Sequence, residues 1–552
     1  MGTCYAFNFL PVALYVYGWF DKSVKYNEVK IYVGDKKIGN AELKIERSNI
    51  FRSFENTSDN QDGWRIYINE YNKPLSGEVV RAVAVDEGTI TGEMYAEIQG
   101  ISIADSLDEL QEYNDVILAI PGVSNKLPLL NTIADTLNRK VVVLLEGCPQ
   151  DTFMPVEQMI KNEMGDKRIS DNLAVHILPS LFIKNKYLST YEISAQKDDF
   201  FDFFNDEQIR LYVDAIRQKY PNQTESYVRL YIFLLIDYLE KIILQVSPRG
   251  VIMWNEFSVM HMICKEVCSR RNIPVVYSEA GVIPNTYAFE VGGQMGESYP
   301  AVNYTEFARL TVSADELDGA KKIVESLRES RDNRWAKYGV YKDEQLAEVQ
   351  KRIVLGRPIV FYAGQNDYES GIIPYTHDSM KFHSPIFKSS YDAAVFLSEI
   401  CKKRDWNFIY KRHPMMRMKK RLEPLPENVI NYDELEIHDI IDFADVTVTI
   451  LSQTSYVALI RKKPVVMLGF NQMRGKGCAY EAFTEKEVEK ELEQAILNGL
   501  TKEQEDCFYI HVAQLIKYYL FEDFMSKTHS YGKSVTELQK ELNKEFGFKL
   551  GK

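Results

Sequence analysis

Residues 274–298 read PVVYSEAGVIPNTYAFEVGGQMGES. The opening run, Pro274 to Tyr277, is short, apolar and β-branched, the pattern of a strand buried on both faces of a parallel sheet. The reading predicts that the strand breaks at Ser278-Glu279-Ala280-Gly281 and passes into a loop punctuated by glycine and proline. Glu279 then stands just past the carboxyl end of a sheet strand, the edge at which open α/β sheets bind ligands. Just upstream, GVIMWNE (Gly250–Glu256) is a second strand of the same kind, and Ser258–Arg271 has helical composition. Strand, helix, strand with continuous apolar strands is a βαβ unit. On this stretch alone, an ordinary solvated loop glutamate is an equal reading of Glu279.

Toward the amino terminus the pattern repeats. DVILAIPG (Asp115–Gly122) and KVVVLLEG (Lys140–Gly147) are buried strands flanking a helical stretch over Leu127–Leu137. Gly122 is not part of a G-x-G-x-x-G, so a dinucleotide fingerprint is absent. Helices are predicted near residues 207–218 and 223–245. Residues 150–205 yield one strand, LPSLFIK, and an acidic-aromatic turn, DDFFDFFND. Residues 1–100 differ: LYVYGWF, EVKIYVG, KIGNAELKI, GWRIYINEY and EVVRAVAVD are short strands separated by turn residues, including the polar stretch Asn56–Gly63. Regular short strands with turn signals predict a β-sandwich. The apolar run Phe7–Phe20 lacks a basic start and a small-residue cleavage site and contains Pro11, so it reads as strand rather than signal sequence. Trp19 and Trp64 fit a sandwich core better than a glycan-stacking face.

Toward the carboxyl terminus, residues 306–352 are charged, helix-prone and poor in apolar anchors. A second α/β series follows. Its strands are PIVFYAGQND (Pro358–Asp367), NFIYKRHP (Asn407–Pro414), DVTVTILSQTS (Asp445–Ser455) and KPVVMLGF (Lys463–Phe470). Its helices are expected at 390–403, Glu485–Leu497, 503–525 and 534–546. The expected organisation is a β-sandwich over 1–100, a Rossmann-like domain over 101–305, a helical connector over 306–352 and a second Rossmann-like domain with terminal helices over 353–552.

The bulk numbers exclude several classes. A net charge of −13 argues against general nucleic-acid binding, which needs a basic face. Seven scattered cysteines do not form a disulfide framework. Cys264 and Cys268, one helical turn apart, read as core. No apolar run is long enough for a transmembrane helix. No Asp-x-Asp, H-E-x-x-H or Cys/His ligand spacing appears, and no P-loop or G-x-S-x-G. No metal and no other cofactor is expected. His176, His261, His377, His383, His438, His511 and His529 are scattered, and His261 reads as packed.

Three stretches carry chemistry. Lys411-Arg412-His413-Pro414 ends a strand with two cations and an imidazole, a set suited to a phosphate. A solvated basic turn is the plain alternative. Ser452-Gln453-Thr454-Ser455 precedes a helix, where hydroxyls and backbone N–H groups favour an anion; a plain helix N-cap is an equal reading of it alone. Lys476, between Gly475 and Gly477, lies on a loop expected to fold over a ligand or to stand exposed. Asn255, Glu256, Gly281 and Gln365 fall at sheet-end loops and complete the candidate cleft.

Residues about 250–500 resemble the capsule polysaccharide biosynthesis family of bacterial GT-B glycosyltransferases, which includes Kdo transferases. The stretches that carry the likeness are VIMWNE, Pro274–Ser298, YKRHP, ADVTVTILSQTSYVALIRKKPVVMLG and GKGCAYE, in that order. The Glu-x-Gly and His-Pro elements are also similar to motifs of bacterial sialyltransferases that use CMP-sugars. Residues 1–100, with Gly18-Trp19, Arg47 and Gly63-Trp64, resemble a β-sandwich module attached to bacterial glycosyltransferases. The resemblance implies a GT-B-like pair of Rossmann-type domains facing a cleft, with Glu279 as the catalytic carboxylate. Lys411, Arg412, Pro414 and Lys476 join the site as candidates by their own chemistry, and the resemblance makes His413 the donor-phosphate ligand with Ser452 and Thr454 in the nucleotide site. It implies transfer from CMP-Kdo or a CMP-nonulosonate to a bacterial surface glycan or glycolipid. The setting it implies is the cytoplasm, with association at the inner membrane. Two departures stand out: Ala280 occupies the place of a second carboxylate, and Glu256 replaces a small residue after Trp254-Asn255. A CDP-alcohol phosphotransferase, a sugar-nucleotide epimerase and a non-catalytic glycan-binding protein are the alternatives.

Overall fold

The computed structural model describes residues 3–9, 13–20, 23–45, 63–69, 78–101, 116–122, 126–146, 163–165, 168–178, 206–219, 225–331, 343–416, 423–431, 433, 436–524 and 531–548. Arg47, His529 and nearly all of the acidic-aromatic turn and of the LPSLFIK and Asn56–Gly63 stretches lie outside them. The chain divides into two compact units, Met1–Val213 with Tyr220–Arg249, and Asp214–Lys219 with Gly250–Lys552.

In the first unit, β1 (Thr3–Phe9), β2 (Ala13–Trp19), β3 (Glu28–Val33), β4 (Lys36–Asn40), β5 (Glu42–Ile45), β6 (Gly63–Asn69), β7 (Val79–Asp86) and β8 (Thr89–Ile101) share one sheet order, β4-β3-β7-β8-β1-β2-β6-β5. The pairings are antiparallel except that of β1 with β8. Period-2 burial explains the strands: Val29, Ile31 and Val33 are buried while their neighbours are half-buried. These side chains pack with Val80, Ala82 and Ala84 around Trp64, which is fully buried with its ring 6.0 Å from Phe20. Trp64 is therefore core. The same unit holds three parallel strands, β9 (Ile117–Ile120), β10 (Val141–Glu146) and β11 (Leu173–Leu178), in the order β11-β10-β9. The helix Leu127–Leu137 connects β9 to β10 and stops at Asn138, whose left-handed φ of 48° is one that asparagine tolerates.

The second unit contains β12 (Gly250–Met253), β13 (Val275–Ala280) and β14 (Thr286–Glu290). β12 and β13 are parallel, with the helix Val259–Arg270 between them, so the predicted βαβ unit is present. The predicted loop is different. β13 runs through Glu279 to Ala280, turns at Gly281–Asn285, and returns as β14 antiparallel to it. Gly281 N–H donates to the Thr286 carbonyl at 2.8 Å, and Asn285 takes a left-handed φ of 61°, which lets so short a turn close. Glu279 therefore stands inside a strand, not beyond its end.

A six-stranded sheet follows, built from β15 (Ile359–Ala363), β16 (Asn407–Lys411), β17 (Val429–Asn431), β18 (Val446–Thr449), β19 (Val465–Met467) and β20 (Tyr480–Glu481). All its strands are parallel, in the order β17-β16-β15-β18-β19-β20. β15 and β18 are buried at every position, which is why they read as unbroken apolar or β-branched runs. Phe361, Ile409, Leu459 and Met467 enter one core, and Val360, Tyr362, Phe408 and Leu397 the other. The chain builds β15 to β17 in one direction and then crosses back to β18, so its topological switch lies between β15 and β18. The helix expected over 503–525 ends at Tyr518. Leu520 and Phe521, both fully buried, then form β21 (Leu520–Glu522) antiparallel to β14.

Candidate functional site

Ligands of open α/β sheets collect at the carboxyl edge, beside the switch point. In the six-stranded sheet Ala363 lies opposite both Lys411 and Thr449, so the loops after β15, β16 and β18 leave the same edge. These carry Gln365, His413 and Ser452–Thr454. Gln365 is only 8% exposed; its N–H donates to Ser390 Oγ at 2.8 Å, and its side-chain Oε1 has no hydrogen-bond partner among the described residues. A buried carbonyl oxygen without a donor costs about 1–3 kcal/mol, so its place at the switch point marks where a ligand or water donor belongs.

The basic cluster after β16 divides. Arg412 donates to Asn431 Oδ1 at 2.7 Å and to Asp433 Oδ2 at 3.1 Å, with its backbone N–H on Asp433 Oδ1 at 2.8 Å. The Lys411 Nζ donates to the Asp433 carbonyl. Both cations thus turn toward the β17 side, where Asp433 balances charge. His413 differs. Its Nδ1 accepts the Met415 N–H at 3.2 Å, so the ring proton of the neutral form sits on Nε2 as a donor. Pro414 opens the short 3₁₀ turn Pro414–Met416, which fixes this geometry.

After β18, Ser452 Oγ donates to Thr454 Oγ1 at 3.0 Å, and the Ser452 carbonyl accepts Ser455 Oγ at 2.8 Å. Both Ser452 and Thr454 are half-buried. The His413 and Ser452 loops are two strand spacings apart, about 10 Å, a span comparable with a nucleotide. Between them and the hairpin there is a direct contact: Gln453 Nε2 donates to the Ala280 carbonyl at 3.3 Å.

Ala280 adjoins Glu279, which is 5% exposed. Register pairs Glu279 with Ala288 and Tyr277 with Glu290, so Glu279 and Glu290 project from the same face as diagonal neighbours. Glu290 is buried, and its Oε1 accepts the Tyr299 N–H at 3.0 Å. Burial first, and then the Glu279 charge, push its pKa up to about 8. Glu290 thus brings a second carboxylate beside Glu279 across the hairpin. Tyr519, also buried, is driven well above its ordinary pKa by burial and by the Glu290 and Glu279 charges.

Four further polar residues meet nearby, and one of them, Glu256, was a candidate from sequence. Glu256 is 2% exposed; it accepts the Gln294 N–H and Lys265 Nζ, the latter at 2.8 Å. Burial raises its carboxyl to about 7, against the pull of Lys265. Glu297 lies 3.9 Å from the same lysine and 3.1 Å from His383 Nε2. Burial works to raise Glu297, but His383 and Lys265 outweigh it and hold the carboxyl below its ordinary value. Glycine is required around this group: a Cβ at Gly371 would fall 2.4 Å from the His383 ring, and one at Gly293 would fall 2.6 Å from the Glu297 side chain. Nothing in the sequence around His383 distinguishes it from the other scattered histidines.

Asn255, Gly281 and Lys476 have local duties. Asn255 Oδ1 caps the turn before Val259–Arg270 by accepting the Phe257 N–H at 2.7 Å, while its Nδ2 donates to the Glu369 carbonyl at 3.0 Å. A Cβ at Gly281 would lie 1.9 Å from Thr286 Oγ1, so close packing within the hairpin explains that glycine. Lys476 is buried, not on an open flap. Its Nζ donates to the carbonyls of Pro300, Arg474 and Tyr304 at 2.9, 3.0 and 3.2 Å, and burial lowers its pKa to about 8. Its three donors are thus spent within the fold and not on a phosphate.

No protein-family profile matches the chain, and no curated protein sequence does. Among solved structures, the chain is similar to KpsC, beta Kdo 2,7 transferase, of Thermosulfurimonas dismutans, with 16% identity over 61% of this chain and 94% of that one and a TM-score of 0.33. It is similar to KpsC, beta Kdo 2,4 transferase, of the same organism, with 13% identity over 54% and 87% and a TM-score of 0.36. The glycosyltransferase SnogD from Streptomyces nogalater matches with 14% identity over 78% and 98% and a TM-score of 0.27. Scores of this size do not establish a shared fold or activity.

Proposed function

We propose that the chain is a glycosyltransferase that moves a sugar from a nucleotide-activated donor to a glycan acceptor. The observation that carries this reading is the Gln453–Ala280 hydrogen bond, which brings the switch-point loops of a parallel sheet against a buried carboxylate hairpin. The donor nucleotide occupies the edge formed by Gln365, His413, Ser452 and Thr454. His413 Nε2–H faces the leaving phosphate and stabilises the charge that develops as the bond from sugar carbon to phosphate oxygen breaks. Glu279 accepts the proton of the acceptor hydroxyl, whose oxygen forms the new bond to that carbon. Lys411 and Arg412 hold the loop through Asp433 and contribute positive potential.

The finer assignment, CMP-Kdo or a CMP-nonulosonate as donor and a bacterial surface glycan as acceptor, rests on the resemblance of the loop motifs over residues 250–500. The absence of metal-ligand motifs in the sequence supports metal-independent transfer, the same resemblance supports a cytoplasmic setting at the inner membrane, and the separate likeness of residues 1–100 to a β-sandwich module supports an accessory sandwich there. Among the described residues no helix is long and apolar enough to cross a membrane. The test is release of CMP from CMP-Kdo or a CMP-nonulosonate in the presence of a glycan acceptor, with and without EDTA. Turnover that persists in EDTA and vanishes in Glu279→Gln supports the reading. Strict Mn²⁺ dependence contradicts its metal-free part, and full turnover in Glu279→Gln removes Glu279 as base.

A further inference from the structure

Beside the hairpin lies a pocket of about 500 Å³. Glu290 and Phe289 of β14 line it, with Tyr299, Phe382, Tyr518 and Glu297 among the other walls. Aromatic rings beside carboxyls are the means by which proteins hold hydroxyl-rich rings: flat apolar faces for the C–H surface, directional acceptors and donors for the hydroxyls.

The charges in this pocket are specific. Glu297 is held ionised by His383 and Lys265. Glu541, at the rim, is engaged by Lys533 at 2.9 Å, and the same lysine lies 4.0 Å from the centre of the Phe521 ring, so its positive charge is compensated on the spot. Glu290 is the deep polar group and stays largely protonated at neutral pH, because burial and the Glu279 charge both oppose its ionisation. A protonated carboxyl both donates and accepts, which suits a neutral hydroxyl. An acidic sugar entering here meets the Glu297 carboxylate and no uncompensated cation among the lining residues. The pocket is also coupled to the proposed chemistry, since Glu290 shares its sheet face with Glu279.

We propose that this pocket is the acceptor subsite and that it takes a neutral pyranose unit of a glycan, hydrogen-bonded to the Glu290 carboxyl and discriminating against uronic and other acidic sugars. This rests on the transferase reading, because it assigns the second substrate of the same centre.

The test uses the full chain and saturation-transfer NMR with methyl hexopyranosides, methyl N-acetylhexosaminides and methyl hexuronides. Val302 lines the pocket and is 42% exposed, so Val302→Trp fills the pocket from its rim without disturbing a core. Glu290→Leu removes the hydrogen-bonding group, and Glu290→Gln retains one. At least one neutral glycoside binds the wild type. Its affinity falls at least tenfold in Val302→Trp and in Glu290→Leu, and stays within a few-fold in Glu290→Gln. The hexuronides do not bind. Nucleotide-induced thermal stabilisation remains unchanged in Val302→Trp. Absence of binding by every neutral glycoside, unchanged binding in Val302→Trp, or preference for hexuronides overturns the proposal. If nucleotides still stabilise the protein in that case, the transferase reading survives and the acceptor subsite alone falls.

Discussion

Two polar loci of the second unit, the basic loop Lys411–His413 and the carboxylate hairpin Glu279–Glu290, are built on opposite terms. The basic loop is contiguous in sequence, and two of its three charged or ionisable side chains are spent on the fold. Arg412 and Asp433 form a largely buried pair, with side chains 13% and 14% exposed. The hairpin carboxylates are separated in sequence and joined by register, and both are buried. Adjacency in sequence marks where charge collects, while strand pairing decides which groups act together.

The widest separation between the two loci is expected from Glu279→Gln. If Glu279 is the base, turnover falls by about 10²–10⁴-fold, the usual worth of a positioned general base. Binding of nucleotide, measured by thermal shift, stays intact. Arg412→Ala tests the opposite quality. It leaves Asp433 half-buried without its partner, and denaturant melts should show a loss on the order of 3 kcal/mol. An Arg412→Ala protein as stable as wild type, with nucleotide binding abolished, would make Arg412 a phosphate ligand instead of a brace.

Glu290→Gln sharpens the account of the hairpin through pH. The Glu290 pKa is raised to about 8 in the folded chain from an ordinary 4.5. A raised carboxyl stabilises the fold fully below the unfolded value and loses that contribution as pH climbs through the folded value. The wild type should therefore lose stability between about pH 4.5 and 8 relative to Glu290→Gln. The variant's melting temperature should exceed that of the wild type by several degrees at pH 8–9 and converge with it toward pH 4.5. A difference that does not vary with pH would show Glu290 to be titrating normally. Gln453→Ala gives the smallest effect. It removes one hydrogen bond to the Ala280 carbonyl, worth about 1 kcal/mol, and should lower turnover several-fold at unchanged nucleotide affinity. Equal loss of both would place Gln453 in the nucleotide site itself.

Much of the second unit was legible in the sequence because its strands are buried on both faces. Ile359–Ala363 and Val446–Thr449 read as unbroken runs, and their polar ends fall at one edge for any parallel sheet. His413 and Ser452 could be placed together on that ground. The hairpin was not legible. Thr286–Glu290 follows a Pro-Asn turn inside a Gly-punctuated stretch and reads as loop, so only the strand pairing reveals that Glu290 lies beside Glu279. Leu520–Glu522 continues a helical stretch and declares itself a strand only by pairing with β14. Lys476 looked like part of a flexible loop, since Gly475 and Gly477 flank it. The three carbonyls that bind it come in part from residues 300 and 304, which no local pattern could supply. His383 and Glu297 meet only through tertiary packing, and Asp433 finds Arg412 through the β16–β17 pairing.

The central claim is that a nucleotide sits at the His413 edge while Glu279 acts on the other substrate. The most direct measurement is the thermal shift produced by CMP, UDP, GDP and CDP in wild type, His413→Ala and Glu279→Gln, without divalent ions. The account predicts that CMP raises the melting temperature of wild type and Glu279→Gln alike and leaves His413→Ala nearly unmoved. Absence of any nucleotide shift in the wild type, or an equal shift in His413→Ala, would contradict it.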